Sequence, residues 1–348
     1  MKYKNYLKLL INDLSKQKKI YRPTVFWADL VVKFFQIFKR GKFDKFRKDE
    51  LALNFFVPTY NYYREKNINK IISLIDKGKF DKRIKFFFRS HISGEKDALS
   101  DYRVFKASDD TKKLPYYHNF SEKKIGSPIE FFKFEGKNYT RSSLNYLLGL
   151  SFLKKVTKNF VPKTVLEIGG GFGILGSIMH SSGIKKIKYI SIDLPPMSLF
   201  TEYYLSSCHG SSNASGYENT KKMKKIYINK LKKFSALNSW QIEKLIGRVD
   251  LFINFVSFQE MEPEVVANYA KIISKLRPKF ILLRNLKEGK QIKKGAESVG
   301  VNKQIKFKNY LNIWKKFNYS LVAKNVIPFG YKTWDNYNSE ILVFKKTS

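Results

Sequence analysis

One segment near the middle of the chain constrains the fold more than any other. Residues 164–168 form an apolar, β-branched run that predicts a buried strand, and residues 174–181 have the apolar spacing of a helix. Between them, Gly169, Gly171 and Gly173 form a glycine-rich turn. A strand, such a turn and a helix in this order are typical of α/β proteins whose backbone approaches a nucleotide-containing cofactor closely at the turn.

The second half of the chain alternates strands with helices, which predicts a parallel sheet. Further strands and helices are predicted at residues 188–193, 198–206, 250–256, 263–276 and 279–283. The third strand is either 226–228 or 234–237, and the sequence does not decide between them. The last two strands, 321–328 and 340–346, are joined without a helix, so we expect the final strand to enter antiparallel. The predicted fold class is α/β, with a Rossmann-like sheet.

The chain is expected to have three parts. Residues 1–115 are predicted to form a mainly helical N-terminal domain, because apolar residues recur there at helical spacing. Residues 116–150 form a connector, with a short hairpin within 131–140, and then a lead-in helix. Residues 151–348 form the cofactor-binding α/β domain.

The composition limits the setting and the partners of the protein. The single cysteine, Cys208, cannot form an internal disulfide, and no apolar run is long enough to span a bilayer, so we expect a cytoplasmic protein. The formal charge of +38 is spread along the chain, without a recognised nucleic-acid-binding motif. We therefore expect no nucleic acid partner, and we interpret the charge first as solvated surface lysines and second as a weak attraction to anionic membrane surfaces or sugar phosphates.

The glycine-rich turn fits two cofactors. Glu167, two residues before Gly169, combines with Gly171 and Gly173 in the acidic, three-glycine spacing associated with S-adenosylmethionine. Gly171, Gly173 and Gly176 also match the dinucleotide-binding pattern. The turn alone therefore does not choose between a methyl donor and a dinucleotide.

Three features outside the glycine spacing itself favour the methyl donor. They are the acidic Glu167, the position of the turn in the second domain, and the terminal hairpin, which is typical of seven-stranded methyltransferases. Asp193 closes the strand after the turn and is placed to accept hydrogen bonds from ribose hydroxyls in either case. We therefore expect S-adenosylmethionine as the cofactor and a seven-stranded methyltransferase sheet.

Several blocks of sequence resemble the bacterial sugar O-methyltransferase family, over nearly the whole chain. They lie at residues 56–60, 139–150, 165–173, 193–196, 239–241, 254–261, 282–285 and 328–333. The resemblance implies a class I enzyme that methylates a sugar hydroxyl during the synthesis of surface polysaccharide or another glycan. The alternatives are an NAD-dependent sugar-modifying oxidoreductase, and a basic membrane- or nucleic-acid-binding protein with a vestigial cofactor fold.

Two residues are candidates for a general base that removes the proton of a sugar hydroxyl. Glu260 follows the fourth parallel strand; alternatively, it only stabilises the start of the helix at Pro263 through the helix dipole. His118 lies in the connector, from which it would reach over the cleft; alternatively, it is a surface or capping residue. No converging set of carboxylates indicates a metal site, so we expect no obligatory metal.

The remaining candidates follow the predicted strands or precede the α/β domain. We expect the donor to contact the three glycines and Glu167, Asp193, Leu194, Trp240, Gln241, Asn254 and Ser257. We expect the acceptor to contact Tyr139, Arg141, Gln259, Arg284, Asn285, Tyr331 and Lys332. Trp240 either covers the adenine or packs in the core, and each arginine either binds a carboxylate or phosphate or forms a surface ion pair.

Overall fold

Helices fill the first third of the chain and then alternate with strands in the computed structural model, which describes residues 2–41, 43–49, 65–295, 298–332 and 337–347. The α-helices are α1 (Lys2–Ser15), α2 (Ala28–Lys39), α3 (Glu65–Lys77), α4 (Lys82–Ile92), α5 (Glu95–Ser108), α6 (Arg141–Val156), α7 (Ile174–Ser181), α8 (Met197–His209), α9 (Tyr217–Thr220), α10 (Pro263–Lys275) and α11 (Phe307–Lys315). The strands are β1 (Phe132–Phe134), β2 (Lys137–Tyr139), β3 (Thr164–Ile168), β4 (Lys188–Asp193), β5 (Ala214–Ser215), β6 (Ile226–Tyr227), β7 (Phe234–Asn238), β8 (Leu245–Ile246), β9 (Leu251–Phe255), β10 (Phe280–Leu286), β11 (Tyr319–Asn325), β12 (Tyr331–Lys332) and β13 (Asn338–Lys346). The block at residues 56–60 and residue 333 lie outside the described residues.

The strands form one large mixed sheet in the order β5-β7-β4-β3-β9-β10-β13-β11. All neighbouring pairs from β5 to β10 are parallel, whereas β13 runs antiparallel between β10 and β11. The chain builds outward from β3 to β7 and then returns to build outward from β9, so the strand order switches direction between β3 and β9. The predicted Rossmann-like α/β fold with an antiparallel final strand is confirmed. Within the described residues, the sheet has nine strands and not the expected seven, because the two-residue strands β5 and β12 pair with β7 and β13.

The third parallel strand, which the sequence left undecided, is residues 234–238. All five residues of this strand are buried, and it pairs with β4 in parallel. The competing segment forms only the two-residue strand β6, which pairs with β8 outside the main sheet. A strand inside a parallel sheet is covered on both faces and is therefore apolar throughout, which favours the longer buried run.

The N-terminal helices pack against the α/β domain through aromatic side chains. The ring of Phe38 lies 4.4 Å from that of Phe200, between centroids, and the ring of Phe46 lies 6.0 Å from that of Phe172, next to the glycine turn. One hydrophobic core extends from Tyr6 to Phe344. The domain boundary at residue 115 stays a prediction, and it does not separate two cores.

The start of the connector lies at the opposite end of the sheet from the glycine turn. The amide of Tyr116 donates to the carbonyl of Ser182, 2.8 Å away, at the end of α7. Helix α7 begins at the glycine turn and runs back toward the amino ends of the strands. The segment after α5 is therefore anchored far from the carboxyl edge of the sheet. His118 follows Tyr116 by two residues and lies at the same end.

Candidate active site

A cleft lies at the carboxyl ends of β3, β4, β9 and β10, at the point where the strand order switches direction. Its empty volume, including the open mouth, is about 1340 Å³. Ligands of open α/β sheets bind in this position, because the loops that leave the strands in both directions diverge there. Predicted site residues that line the cleft are Gly169, Gly171, Asp193, Leu194, Ser257, Glu260, Arg284 and Tyr331.

The glycine turn forms the floor of the cleft. Gly169 has a φ of +73°, and a Cβ atom at this position would lie 2.1 Å from the Oγ of Ser257. Its amide donates to the carbonyl of Ile192, 2.8 Å away, which ties the turn to β4. Gly173 is the N-cap of helix α7 and, unlike Gly169 and Gly171, does not line the cleft, so the expected donor contact of Gly173 is corrected. Only glycine combines this backbone conformation with so close an approach to Ser257. The turn therefore lines the cleft with backbone atoms and no side chains at Gly169 and Gly171.

Asp193 stands beside the turn at the end of β4. Its two carboxylate oxygens accept hydrogen bonds from the amides of Gly171 (3.0 Å) and Leu194 (2.7 Å). Burial raises the pKa of Asp193 to about 7, and the two amide hydrogen bonds act in the opposite direction. Each carboxylate oxygen has a second lone pair, so Asp193 can accept further hydrogen bonds from a ligand.

Glu167 lies behind the turn and does not line the cleft. Its carboxylate accepts hydrogen bonds from the hydroxyls of Tyr146 (2.5 Å) and Tyr189. Burial raises the pKa of Glu167 to about 7, while both tyrosine hydroxyls lower it. The structure therefore corrects the expected donor contact: the fully buried carboxylate is already bound by two tyrosines and supports the turn from below.

A polar network fixes the loop that follows β9. The side-chain amide of Asn254 donates to the carbonyl of Ile168 (2.9 Å) and to the Oγ of Ser257 (2.6 Å). Asn254 is fully buried and does not line the cleft, whereas Ser257 does. The expected donor contact of Asn254 is thus indirect, because its hydrogen bonds hold Ser257 against the glycine turn.

Trp240 and Gln241 are part of the core and not of the cleft. The side chain of Gln241 accepts from the amide of Asn238 and donates to the hydroxyl of Thr220, both at 2.9 Å. Trp240 packs edge-on against Tyr217 at 5.7 Å and faces a separate groove. The expected adenine contact is not formed, and the alternative of core packing describes Trp240 correctly.

Glu260 is a buried carboxylate that lines the cleft opposite Asp193. Its Oε2 accepts from the indole N–H of Trp27 at 3.1 Å, and its Oε1 lies 3.7 Å from the Nζ of Lys290. Burial raises its pKa above the ordinary value, while Lys290 and the indole hydrogen bond lower it. The carboxylate therefore faces the cleft and does not serve only the helix that begins at Pro263.

Arg284 is a buried guanidinium at the end of β10. Its Nη1 donates to the carbonyl of Asn145 at 3.0 Å, and its plane lies 4.9 Å from the ring centroid of Tyr331. Its Nη2 is buried and has no hydrogen-bond partner among the residues that the structure describes. Burial lowers the pKa of Arg284, yet an arginine stays protonated at neutral pH. This arrangement leaves one donor group of a buried cation available to an anion.

Gln259 and Asn285, expected at the acceptor, support the cleft from outside. The side-chain oxygen of Gln259 accepts from the amide of Leu286 at 2.7 Å. The side-chain oxygen of Asn285 accepts from the amide of Gln259, and its amide donates to Asn254, both at 3.1 Å. Both side chains are thus hydrogen-bonded to other protein groups and do not line the cleft, and Lys332 does not line it either.

Two further acceptor candidates also have other partners. Tyr139 is buried against the ring of Tyr102, 5.3 Å away between centroids. The guanidinium of Arg141 lies 3.3 Å from Asp97 and 3.8 Å from Asp101. Neither residue lines the cleft, although Arg141 precedes the cleft residue Ser142.

His118 lies near the amino ends of the strands, with the start of the connector. Its Nδ1 is 3.4 Å from a carboxylate oxygen of Asp109, which also pairs with Lys154 at 2.8 Å. His118 does not line the cleft. The expectation that His118 reaches over the cleft is corrected, because the hydrogen bond between Tyr116 and Ser182 anchors the connector at the other end of α7.

Several cleft residues were not expected from the sequence. Trp27 and Tyr269 close the cleft near Glu260, and the rings of Tyr146 and Phe255 stack in parallel at 4.8 Å. Asn145 and Tyr146 fall within the block at residues 139–150, one of those that resemble the sugar O-methyltransferase family, so that resemblance could have indicated them. Trp27 carried none, because it precedes an ordinary amphipathic helix.

Two searches of the described residues concern metals and membranes. Within the described ranges, no group of three or more His, Cys, Asp and Glu side chains could hold a metal ion. None of the helices in the same ranges is long and apolar enough to cross a bilayer.

Comparison with known proteins adds structural relatives only. No family model and no curated protein matches the chain. Among solved structures, it is similar to magnesium protoporphyrin IX methyltransferase from Synechocystis PCC 6803 with bound SAM, at 13% identity and a TM-score of 0.38, over 60% of this chain and 81% of that one. An S-adenosylmethionine-dependent methyltransferase from Clostridium acetobutylicum has 13% identity and a TM-score of 0.39, over 58% and 91%. A SAM-dependent methyltransferase from Aquifex aeolicus has 12% identity and a TM-score of 0.36, over 70% and 98%.

At this sequence identity and TM-score, the similarity concerns the general path of the chain and assigns no role to any individual residue. The resemblance to sugar O-methyltransferases stays a prediction. The function must be inferred from the cleft of this chain.

Proposed function

We propose that the protein is an S-adenosylmethionine-dependent methyltransferase. One observation carries the proposal: the exposed backbone of the glycine turn and the carboxylate of Asp193 lie side by side in a cleft at the switch in strand order. The antiparallel β13 between β10 and β11 supports a methyl donor over a dinucleotide, because most dinucleotide dehydrogenases lack this terminal hairpin.

The residues of the donor side fit this cofactor. Asp193 would accept hydrogen bonds from the ribose hydroxyls through its remaining lone pairs, and the turn at Gly169 to Gly171 leaves room for backbone contact with the rest of the donor. Bound S-adenosylmethionine would supply an electrophilic methyl group on a sulfonium. The protein would hold the donor in the cleft and exclude water with Trp27 and Tyr269.

The acceptor is proposed to be a sugar hydroxyl. A sugar hydroxyl is weakly acidic, so a carboxylate that removes its proton would contribute about 10²- to 10⁴-fold to the rate. Glu260 faces the cleft and its pKa is raised by burial, which makes it a stronger base than an exposed carboxylate. Alignment of the hydroxyl behind the methyl group would contribute further.

Arg284 suggests that the sugar carries an anionic group. Arg284 lines the cleft, and the carboxylate of Asp101 acts on it through charge without a hydrogen bond, so a bound carboxylate or phosphate would supply the missing partner of Nη2. Its position on β10 is two strands away from the glycine turn on β3, on the side opposite Asp193. We therefore propose a uronic acid or a phosphorylated sugar, within surface polysaccharide or glycan synthesis.

Calorimetric titration tests the proposal. We expect S-adenosylmethionine and S-adenosylhomocysteine to bind the full chain, NAD not to bind, and Asp193→Ala to abolish binding of the first two. Binding of NAD alone would contradict the proposal in favour of an oxidoreductase. Binding of none of the three would contradict the assignment of a donor site to this cleft.

A further inference from the structure

The strongest feature outside the cleft is an exposed apolar surface on α3 and α4, which we name the basic hairpin (residues 65–92). Leu74 and Phe86 are each 62% exposed, and Phe80, Phe87 and Phe88 are each exposed by 43% or more. The rings of Phe80, Phe87 and Phe88 form one cluster, with centroid distances of 6.4 and 5.5 Å between neighbours. Exposed apolar residues grouped in this way mark an interaction surface, whereas single exposed residues do not.

The same hairpin is strongly basic. In the part of the hairpin whose side chains the structure describes, residues 67–92, there are seven Lys and Arg residues and two acidic ones, Asp76 and Asp81. Both acidic side chains are engaged within the hairpin: Asp76 pairs with Arg89 at 3.2 Å, and Asp81 accepts from two amides at the start of α4. The acidic groups therefore stabilise the hairpin internally, and the charge presented outward is positive.

We propose that the basic hairpin binds the surface of an anionic lipid bilayer. Phenylalanine and leucine side chains bury their apolar area at the boundary between head groups and acyl chains, while neighbouring lysines attract the anionic head groups. A nucleic acid would match the charge but not the contiguous aliphatic and aromatic side chains. A second copy of this chain would match the apolar cluster but would bring together two surfaces of the same positive charge.

The hairpin is linked to the cleft through helix α5 and Arg141. Helix α5 begins three residues after α4 ends, and its first two turns carry Asp97 and Asp101, which pair with Arg141. Arg141 precedes Ser142, which lines the cleft. Bilayer binding through the hairpin would thus hold the cleft close to the lipid surface. The inference does not depend on the proposed reaction.

Co-sedimentation with lipid vesicles tests the proposal on the full chain. We expect binding to vesicles of phosphatidylcholine and phosphatidylglycerol, reduced at high salt, and weak binding to vesicles of phosphatidylcholine alone. Leu74→Ser/Phe86→Ser should lower the affinity for anionic vesicles at least tenfold. Both side chains are exposed, so the variant should fold, which its thermal unfolding temperature checks.

A matched control separates the hairpin from general charge. Val299→Ser/Ile327→Ser removes two residues that are 60% and 72% exposed elsewhere, and it keeps the net charge of +38. We expect this control to bind like the unaltered chain. Equal binding by the hairpin variant, or no vesicle binding by the unaltered chain, would overturn the proposal. A dimer in light scattering that the hairpin variant abolishes, without vesicle binding, would assign the surface to a second copy instead.

Discussion

The two sides of the cleft are built in different ways. The donor side consists of backbone at the glycine turn and one carboxylate, Asp193, all from two adjacent strands. The acceptor side consists of long side chains from distant parts of the sequence, among them Trp27, Glu260 and Arg284. A backbone site recognises what many related folds share, whereas a side-chain site changes with each substitution. Substitutions on the two sides should therefore affect different steps.

The largest effect is expected on the acceptor side, at Glu260. Glu260→Gln should lower kcat about 10²- to 10⁴-fold, because the amide cannot accept the proton, and should leave donor affinity unchanged. The measurement is the pH profile of kcat, from which the variant should lose the limb that reports ionisation of Glu260. Glu262→Gln is the control, since this neighbouring buried carboxylate does not line the cleft. An unchanged pH profile in Glu260→Gln would contradict the role of Glu260 as a base. Glu260 would then have only a structural role, through its contacts with Trp27 and Lys290.

The second largest effect is expected on the donor side, at Gly169. Gly169→Ala places a Cβ 2.1 Å from the Oγ of Ser257 at a φ of +73°, and strain with overpacking costs about 2–4 kcal/mol. We expect donor affinity measured by calorimetry to fall by about 100-fold. Gly136→Ala is the matched control, because its φ is +80° and no atom lies within 4 Å of the added Cβ. Equal loss in both variants would show that backbone strain, and not the cleft, is responsible.

A substitution at Arg284 tests whether the acceptor and the donor bind on different sides of the cleft. Arg284→Met should raise the KM for an anionic sugar by about 10- to 100-fold, because a hydrogen bond to a charged group contributes about 1.5–3 kcal/mol. Donor affinity should not change. Arg141→Met is the control, since Arg141 already pairs with Asp97 and Asp101. Weaker donor binding with an unchanged KM would instead place the carboxylate of the donor at Arg284, and the division of the cleft would be wrong.

The same contrast explains what the sequence could predict. The sheet, the glycine turn and Asp193 depend on local patterns, in which apolar strands, glycines and a strand-terminal acid are contiguous in sequence. Trp27 enters the cleft only because α2 packs on Phe200, and packing between distant segments leaves no local pattern. The sequence therefore located the glycine turn and Asp193, whereas five of the ten expected donor contacts do not line the cleft: Glu167, Gly173, Trp240, Gln241 and Asn254.

Three of the five donor-side errors have one physical cause. Glu167, Asn254 and Gln241 are polar residues at or just beyond strand ends, where a ligand contact is plausible. Each is instead buried and bound to other protein groups, because a buried polar side chain requires partners whether or not a ligand is near. Residue type and strand position do not distinguish these two outcomes; only the direction of the side chain does.

The smallest effect is expected from pH on the donor side. The pKa of Asp193 is raised to about 7, so the fraction of ionised carboxylate increases about tenfold between pH 6 and pH 8, and donor affinity should rise with it. The stability of the unliganded protein should change in the opposite direction. A carboxylate whose pKa is raised from about 4 stabilises the fold most below pH 4 and loses that contribution as pH rises through 7.

Asp193→Asn should remove the pH dependence of donor affinity, because the amide does not ionise. It should leave part of the pH dependence of stability, since burial also raises the pKa of Glu167 to about 7 and Glu167 does not line the cleft. Calorimetry at pH 6, 7 and 8 measures the first quantity and thermal unfolding the second. Because the variant binds the same ligand, titration of the ligand itself cancels from the comparison. If the affinity of the variant keeps the full tenfold rise, the ionisation that controls donor binding lies outside Asp193, and the carboxylate on β4 does not hold the ribose.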